Sequence, residues 1–432
     1  MTQTPTFRTA LAVSCACALF AACASQEERS DGRPSWQAVR DSIGDTLVVR
    51  TVAGSVWGVD ARLVEDVSIG VLEGPDEYML GSVQSIAVGA DGEIYVMDRQ
   101  VPALRVYESD GTYRQTIGRE GEGPGEYRRP DGGMAVLSDG RIVLRDPSNA
   151  RFNVYSPRGE SLDTWIIRGN FNTSRKLYRD TADNVWTLVL VDPEASVFDW
   201  VMGLAQYRPD GAPGDTLVQP TWDYEPPTIS GQSENNTSVN RVPFSPSEHW
   251  SMSPLGYLVA GLPTEYAFTL YRTEEPPLRI ERHTDPVPVA PSEGARAREQ
   301  AERNMRNQFP GWRWNGPDVP DRKPAYQGLH PGEDGRIWVW LSGRGYEVDD
   351  PNHDPDDPDS YPTRWREDVA FDVFEPDGSY LGRVEAPPEF SSWPEPIFGR
   401  EYVWAVTRDD FDVQRVVRFR IERGAARVAD SP

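Results

Sequence analysis

Short runs of alternating apolar and polar residues, separated by turn signals, make up most of the chain. In the first such unit, residues 85–88 precede an Asp91-Gly92 turn and residues 93–96 follow it. Alternation with a period of two residues is typical of half-buried β-strands, and Asp-Gly supplies the positive φ angles of a two-residue hairpin turn. The pattern therefore predicts antiparallel strand pairs joined by tight turns.

This unit recurs along the chain. A second copy has its turn at Asp139-Gly140, and both copies end in Val-Tyr-x-x-x-Gly, beginning at Val106 and at Val154. The turn moves from residue 91 to 139 and the second landmark from 106 to 154, a shift of 48 residues in each case. Four weaker copies follow, marked by Asp183-Asn184, Leu255-Gly256, Asp334-Gly335 and the strand 401–406.

Four-stranded units at a spacing of about 40–50 residues are typical of a β-propeller. Six copies predict an all-β fold, a six-bladed β-propeller over residues 46–424. Two further strands, at 46–52 and 63–70, precede the first full copy. We expect at least one of them to complete the last blade, which closes the ring and removes its free edges. If these two strands instead form a partial blade of their own, a seven-bladed ring is the alternative.

A local motif adds a family resemblance. Residues 146–155 read Asp-Pro-Ser-Asn-Ala-Arg-Phe-Asn-Val-Tyr, and this stretch resembles the core of NHL repeats, in which Asp, Asn and Arg precede an apolar strand. The glycine-rich stretch 118–127 resembles the segment between blades of bacterial six-bladed NHL-like lipoproteins. The specific resemblance covers residues 64–160, and the later copies share only the spacing. It implies a propeller but no single activity.

The amino terminus has a different character. Residues 1–22 contain one charge, Arg8, and an apolar run too short to span a bilayer comfortably, which is typical of a signal peptide. The run ends in Leu-Phe-Ala-Ala before Cys23 and resembles the bacterial lipobox. The resemblance implies a lipid anchor on Cys23 and an outer-membrane lipoprotein of the bacterial cell envelope, facing the periplasm or the surface. An ordinary cleaved secretory signal is the alternative. Polar residues 23–45 predict a flexible tether, with no membrane span after cleavage.

Composition excludes several function classes. The chain has 44 Lys and Arg against 68 Asp and Glu, a formal net charge of −24. Because phosphate neutralisation needs a basic face, we expect no nucleic-acid partner. All three cysteines lie at or before Cys23, so the folded body has no disulfide framework, cysteine-ligated zinc or cysteine nucleophile.

One segment departs from the strand pattern. Residues 292–309 predict a helical insertion between the fourth and fifth blades. Its apolar side chains recur every four residues on one stripe: Ala297, Ala301, Met305 and Phe309. We expect this helix to pack on the propeller, with a lid over the central channel as the alternative. Trp312 and Trp314 follow it and are candidates for stacking on a sugar or peptide, with loop packing as the alternative.

Metal and catalytic candidates are weak. Glu73, in Glu-Gly-Pro, resembles the first ligand of gluconolactonase-like propellers, which implies a divalent ion on the axis, but no clear later partners follow. Asp354 and Asp356 in the acidic loop 349–360 offer oxygen ligands, but the calcium-loop spacing Asp-x-Asp-x-Asp-Gly is missing. We therefore predict no cofactor and no metal, with a divalent cation as the alternative. His330 could face the central channel and is a third binding candidate; no catalytic residue is predicted.

These features predict a membrane-anchored, envelope-facing propeller that acts as a non-catalytic binding scaffold. Its partner would be a protein, a peptide or a glycan, because the loops around a propeller's channel usually bind. The alternative is a metal-dependent, lactonase-like hydrolase or lyase with its site on the propeller axis. Residues 425–432 are expected to form a carboxy-terminal tail.

Overall fold

Six four-stranded blades follow one another along the chain. Their strands pair antiparallel from the inside outwards, and the outer strand of the sixth blade comes from the amino-terminal part of the chain. The computed structural model describes residues 36–100, 102–167, 176–192, 194–195, 200–357, 360–409 and 412–424. The predicted signal peptide, Cys23 and the tail 425–432 lie outside these residues. Inner strands or adjoining residues from all six blades line one narrow central channel. The prediction of an all-β, six-bladed propeller is confirmed.

Three strands precede the first blade: β1 Gln37–Ile43, β2 Thr46–Ala53 and β3 Ala61–Ile69. β1 lies inside the segment that was expected to be a tether, 23–45, so that boundary is wrong. Residues 37–43 are ordered because they pair with β2 along their whole length, and Trp36 donates its indole N–H to the Thr51 hydroxyl at 3.1 Å.

The first two blades carry the clearest repeats. The first blade comprises β4 Val83–Val88, β5 Ile94–Asp98, β6 Ala103–Tyr107 and β7 Tyr113–Ile117. A short parallel pair joins it to the second blade: β8 Arg119–Glu120 and β9 Glu126–Tyr127. The second blade comprises β10 Met134–Val136, β11 Ile142–Asp146, β12 Arg151–Tyr155 and β13 Ser161–Ile166. Two single 3₁₀ turns occur here, at Asp76–Tyr78 and Pro147–Asn149.

The third and fourth blades are separated by an inserted hairpin. The third blade comprises β14 Tyr178–Arg179, β15 Val185–Leu190, β16 Met202–Tyr207 and β17 Pro213–Val218. The hairpin comprises β18 Thr228–Gln232 and β19 Thr237–Arg241. The fourth blade comprises β20 His249–Met252, β21 Leu258–Gly261, β22 Ala267–Tyr271 and β23 Leu278–Arg282.

The helix α1, Pro291–Gln308, follows the fourth blade and agrees with the predicted insertion 292–309 to within one residue at each end. The fifth blade comprises β24 Tyr326–Pro331, β25 Ile337–Leu341, β28 Ala370–Phe374 and β29 Tyr380–Glu385. A second inserted hairpin lies between its second and third strands and comprises β26 Tyr346–Asp349 and β27 Thr363–Arg366. The sixth blade begins with β30 Phe390–Ser391, β31 Ile397–Phe398, β32 Tyr402–Arg408 and β33 Gln414–Arg423.

The amino-terminal strand β3 closes the ring. It pairs antiparallel with β33 from Ala61 to Ile69, and so supplies the outer strand of the sixth blade. Ala61, Leu63 and Ile69 are buried by this pairing. β2 instead adds in parallel to β23, at the outer edge of the fourth blade. The two early strands therefore join existing blades, and the described residues form no seventh blade.

The hairpin turns differ from the expected type. In the first turn of the first blade, only Gly92 has positive φ, at 85°, whereas a two-residue type I′ turn needs positive φ at both central positions. The Gly89 amide donates to Glu93 and the Gly92 amide to Gly89, which makes a type I turn followed by one left-handed residue. Gly140, Gly256 and Gly335 repeat this geometry, and the third blade places Asp183 at φ 59° instead.

Apolar clusters fill the spaces between neighbouring blades. Leu104 of the first blade packs with Ile142 and Leu144 of the second. Between the fifth and sixth blades, the fully buried Trp338 stacks on Phe398 with ring centroids 4.8 Å apart. These clusters fix each blade against the next and so hold the loops at the two ends of the ring in place.

Candidate binding face

All the large insertions lie at one end of the propeller. In a four-stranded meander, the connections from second to third strand and from one blade to the next lie at the same end. The β18–β19 hairpin and α1 are connections between blades, and the β26–β27 hairpin joins the second and third strands of the fifth blade. We call this end, with the insertions 228–241, 291–308 and 346–366, the capped face.

The helix and the first hairpin share a small apolar core. Met305 is 1% exposed and Phe309 is 7% exposed, and both pack against Ile229 and Val242 near the hairpin. This contact explains the periodic apolar stripe of α1: the stripe faces the hairpin. The helix is therefore packed into the capped face, as expected for an amphipathic surface helix.

The two candidate tryptophans lie against this same core. Trp312 donates its indole N–H to the Ser230 carbonyl at 2.7 Å, and Trp314 donates to the Gly316 carbonyl at 2.8 Å. Arg298 lies 4.6 Å from the centroid of the Trp314 ring. Both indoles are half-buried and hydrogen-bonded, which favours loop packing. Their role in stacking on a ligand stays a prediction.

A tyrosine joins the acidic loop to the helix. Tyr361 lies between two guanidinium groups of α1, 3.4 Å from Arg296 and 4.7 Å from Arg303, measured to the ring centroid. Asp354 and Asp356 in the same loop are exposed, and the Asp354 carboxylate accepts the Asp356 amide at 2.9 Å. This carboxylate therefore stabilises a local turn.

A buried lysine fastens the helix to the fifth blade. The Lys323 ammonium donates to Glu293 at 2.5 Å and to Glu367 at 2.6 Å, and its side chain is 1% exposed. Glu293 belongs to the first turn of α1, whereas Glu367 precedes β28 and also accepts the Gly343 amide at 2.8 Å. Sequence reasoning missed this cluster. The available signal was that Lys323 is one of only two lysines in the chain.

A cleft of about 1220 Å³ opens at the capped face between the fourth and fifth blades. Its walls come from the segments 263–266, 281–287, 322–325, 341–343 and 368–370, together with Arg50, Pro246, Pro320, Arg383, Glu385 and Ala386. Five prolines contribute to the lining: Pro246, Pro263, Pro286, Pro320 and Pro324. A cleft of this size, on loops held by a rigid scaffold, is suited to binding part of a larger ligand.

A buried carboxylate organises one wall of the cleft. Asp372, on β28, is fully buried and accepts hydrogen bonds from the hydroxyls of Tyr266 at 2.9 Å and Tyr380 at 3.0 Å. Arg282 donates to one of its oxygens, and Arg383 donates through Nε to the other at 3.4 Å. Burial lowers the pKa of Arg282, but the charge and hydrogen bond of Asp372, together with Tyr380 and Tyr266, outweigh this effect and raise the pKa above its usual value. Arg282 therefore stays charged.

A second buried ionic cluster, the axial cluster, adjoins the central channel, whose volume is only about 40 Å³ and whose lining includes Lys176. The Lys176 ammonium is 3.2 Å from Glu395, and His330 Nδ1 is 3.1 Å from the same oxygen. Burial alone would raise the pKa of Glu395, but Lys176 and the His330 hydrogen bond lower it to about 2. His330 thus lies in this cluster, with its ring against Phe371 and Phe398, and its role as a binding residue stays a prediction.

The metal candidates remain apart. Glu73 is exposed, in the segment between β3 and β4. Among the residues that the structure describes, no group of three or more His, Cys, Asp and Glu side chains could hold a metal ion.

The six blades and the insertions of the capped face together define a six-bladed β-propeller with one capped end. A sequence family described as 6-bladed beta-propeller, DUF5128, matches residues 61–158. No curated protein matches the chain. Within the described part of the chain, no helix is both long and apolar enough to cross a membrane.

Three solved structures are similar over most of the chain. A Bacteroides vulgatus protein of the duf4221 family is 9% identical, with a TM-score of 0.42, covering 84% of this chain and 99% of its own. An exported protein from Bacteroides fragilis is 10% identical, with a TM-score of 0.44 and coverages of 84% and 95%. Virginiamycin B lyase from Staphylococcus aureus is 10% identical, with a TM-score of 0.36 and coverages of 83% and 99%.

Proposed function

We propose that this protein is a non-catalytic binding scaffold of the bacterial cell envelope, which takes a protein, peptide or glycan ligand at its capped face. One observation carries the proposal: the insertions all lie at one end of the ring, where the 1220 Å³ cleft opens. The opposite end consists mainly of tight turns. Binding sites are commonly built on loops that a rigid scaffold positions, and the capped face has this organisation.

A bulky side chain in the cleft tests the proposal. Thr264 is exposed and lines the cleft, so Thr264→Trp should block it without disturbing the core. Thr181→Trp is the matched control, because Thr181 is also exposed but lies in a turn at the opposite end. Wild type and both variants would be applied to peptide and glycan arrays. Signals lost only in Thr264→Trp support the proposal, and signals equal in all three proteins refute it.

The lipid anchor is part of the same proposal and rests on the sequence of residues 1–23. With Cys23 lipidated, the propeller would stay at the outer membrane through its amino-terminal segment. Cys23→Ala should then release the protein from the membrane fraction into the soluble fraction of the envelope. A variant that still sediments with membranes would contradict the anchor.

The axial cluster favours a second candidate, a hydrolase or lyase with its site on the axis. A histidine held by a carboxylate is a common arrangement for general acid–base catalysis. Assays with a panel of lactones and added divalent cations, comparing wild type with His330→Gln, test this candidate. An activity that His330→Gln abolishes would support it, and no turnover by wild type would count against it.

A further inference from the structure

We infer that Arg282 and Arg383 form a carboxylate-binding subsite in the cleft, and that the ligand of this cleft is a peptide. The inference rests on the proposed function, because it assigns a ligand chemistry to the same cleft. It begins from the charges: two guanidinium groups share the single buried carboxylate of Asp372. One positive charge is therefore left over beside the cleft.

The two arginines also keep free donors. Each gives one nitrogen to Asp372, whereas a guanidinium group carries five N–H donors in a fixed fork. The side chain of Arg282 is 22% exposed and that of Arg383 is 39% exposed, and both line the cleft. The Arg282 guanidinium stacks 4.3 Å from the centroid of Tyr380, which fixes its plane. This geometry suits bidentate hydrogen bonds to an incoming carboxylate.

Apart from Asp372, no described acidic residue forms an ion pair with Arg282 or Arg383. Glu281 is bound by Arg50 at 2.7 Å and by Arg279 at 2.6 Å, and Arg279 also contacts Glu265. These charges compensate one another within the wall of the cleft. The extra positive charge at Arg282 and Arg383 thus remains available to a ligand.

The rim offers the opposite charge. Asp285 and Glu385 are exposed, line the cleft and have no ion pair with any described residue. They can accept ammonium or guanidinium groups of a ligand whose carboxylate reaches Arg282 and Arg383. Between a peptide and a glycan, the peptide is the ligand that commonly carries both signs of charge a short distance apart.

The lining argues against a glycan. Sugar rings commonly stack on exposed aromatic faces. Of the residues that line the cleft, only Tyr266 carries a phenol, phenyl or indole ring, and it is 5% exposed with its hydroxyl bound to Asp372. No aromatic platform is therefore available to a sugar within this lining.

The test uses an array of short peptides in matched pairs, with oligogalacturonates beside them as acidic sugars. One series exchanges Glu for Gln within the peptide, and a second exchanges the free carboxyl terminus for an amide. The full-length chain is compared with Arg383→Gln and with Arg415→Gln as the control. Arg415 lies on β33 outside the cleft, with a side chain 40% exposed and one carboxylate, Asp409, at 3.2 Å. Arg383 has nearly the same exposure and pairing.

Arg383→Gln should weaken binding of carboxylate-bearing peptides about tenfold or more and leave their uncharged partners unchanged. Arg415→Gln should bind as wild type does. A loss of affinity in the Glu-to-Gln series identifies the bound carboxylate as a side chain. A loss of affinity in the amide series identifies it as the carboxyl terminus. Oligogalacturonate binding that depends on Arg383 overturns the assignment to a peptide.

Two failures can be told apart. If peptides bind, Thr264→Trp blocks them, and yet neither the carboxylate nor Arg383 matters, the subsite is wrong and the scaffold proposal stands. If wild type binds no peptide or sugar on the array, the proposed function itself fails.

Discussion

Glu395, which pairs with Lys176 beside the central channel, allows a quantitative prediction. Glu395→Gln removes the carboxylate charge that is 3.2 Å from the Lys176 ammonium, while the side chain keeps nearly the same shape. The Lys176 side chain is 14% exposed and faces a channel of about 40 Å³, so little water can replace the lost charge. The buried ammonium would then lack the counter-charge nearest to it.

The expected loss follows from the pKa of Glu395. Its usual value is 4.5 and the folded protein lowers it to about 2. At about 1.4 kcal/mol per pKa unit, this difference is worth about 3 kcal/mol of folding free energy. Removing one partner of a buried ion pair costs about 3–5 kcal/mol, in agreement. Because the folded pKa is the lower one, this stability is present above pH 4.5 and is lost as the pH falls from 4.5 towards 2.

Urea unfolding followed by tryptophan fluorescence, at neutral pH and at several acidic pH values, measures both effects. Glu395→Gln should lower the free energy of unfolding by about 3 kcal/mol at pH 7. Its stability should also fall less steeply than that of wild type below pH 4.5. Glu422→Gln is the control, because Glu422 pairs with Arg62 and Arg420 at the surface, and its unfolding midpoint should not move. A loss below about 1 kcal/mol in Glu395→Gln, or the same acid dependence as in wild type, would refute the reasoning.

Two further predictions concern packing. Phe309→Ala should lower the local stability of the capped face by about 3 kcal/mol. Hydrogen exchange should accelerate in α1 and in the β18–β19 hairpin but not in the blades. Unchanged exchange in α1 and the hairpin would contradict the shared core. Gly211 and Gly256 both have positive φ, 78° and 89°, but an added Cβ would lie 2.3 Å from the Trp165 ring at Gly211 and meet no atom within 4 Å at Gly256. Gly256→Ala should therefore lower the free energy of unfolding only by the strain of a left-handed backbone, about 1 kcal/mol. Gly211→Ala should lower it clearly more, as measured by urea unfolding. Equal losses would show that the Trp165 ring moves aside without an energetic cost.

The ring was predictable because the residues that build it are close in sequence. In the motif 146–155, Asp146 accepts the Arg128 amide at 3.2 Å, and Asn149 donates to Asp146 at 2.7 Å and to the Gly121 carbonyl at 3.0 Å. Arg151 donates to the Glu126 carbonyl at 2.9 Å. The motif thus holds the glycine-rich segment between blades, and both carry a recognisable local pattern. The structure places that segment between the first and second blades, as its resemblance implied.

The cleft was not predictable, because its contacts join residues that are far apart in sequence. Tyr266 and Asp372 are separated by 106 residues, and Arg282 and Asp372 by 90. Lys323 and Glu293 are closer, but no strand or helix period connects them. Nothing in the local pattern distinguishes these charges from the many exposed Arg, Asp and Glu side chains. Only the meeting of the fourth and fifth blades gives them a common site.

Departures from the repeat indicated where that site lies. The first two blades keep a shift of 48 residues, and most of their connections are short. The later blades lose the spacing because α1 and two hairpins are inserted, and each insertion extends the same end of the ring. The two lysines follow the same logic: Lys323 fastens α1 to the fifth blade and Lys176 occupies the axis, both bound to buried or half-buried glutamates. All other members of the chain's 44 Lys and Arg side chains are arginines, so the two residues that break this pattern are ones that shape the capped face and the channel.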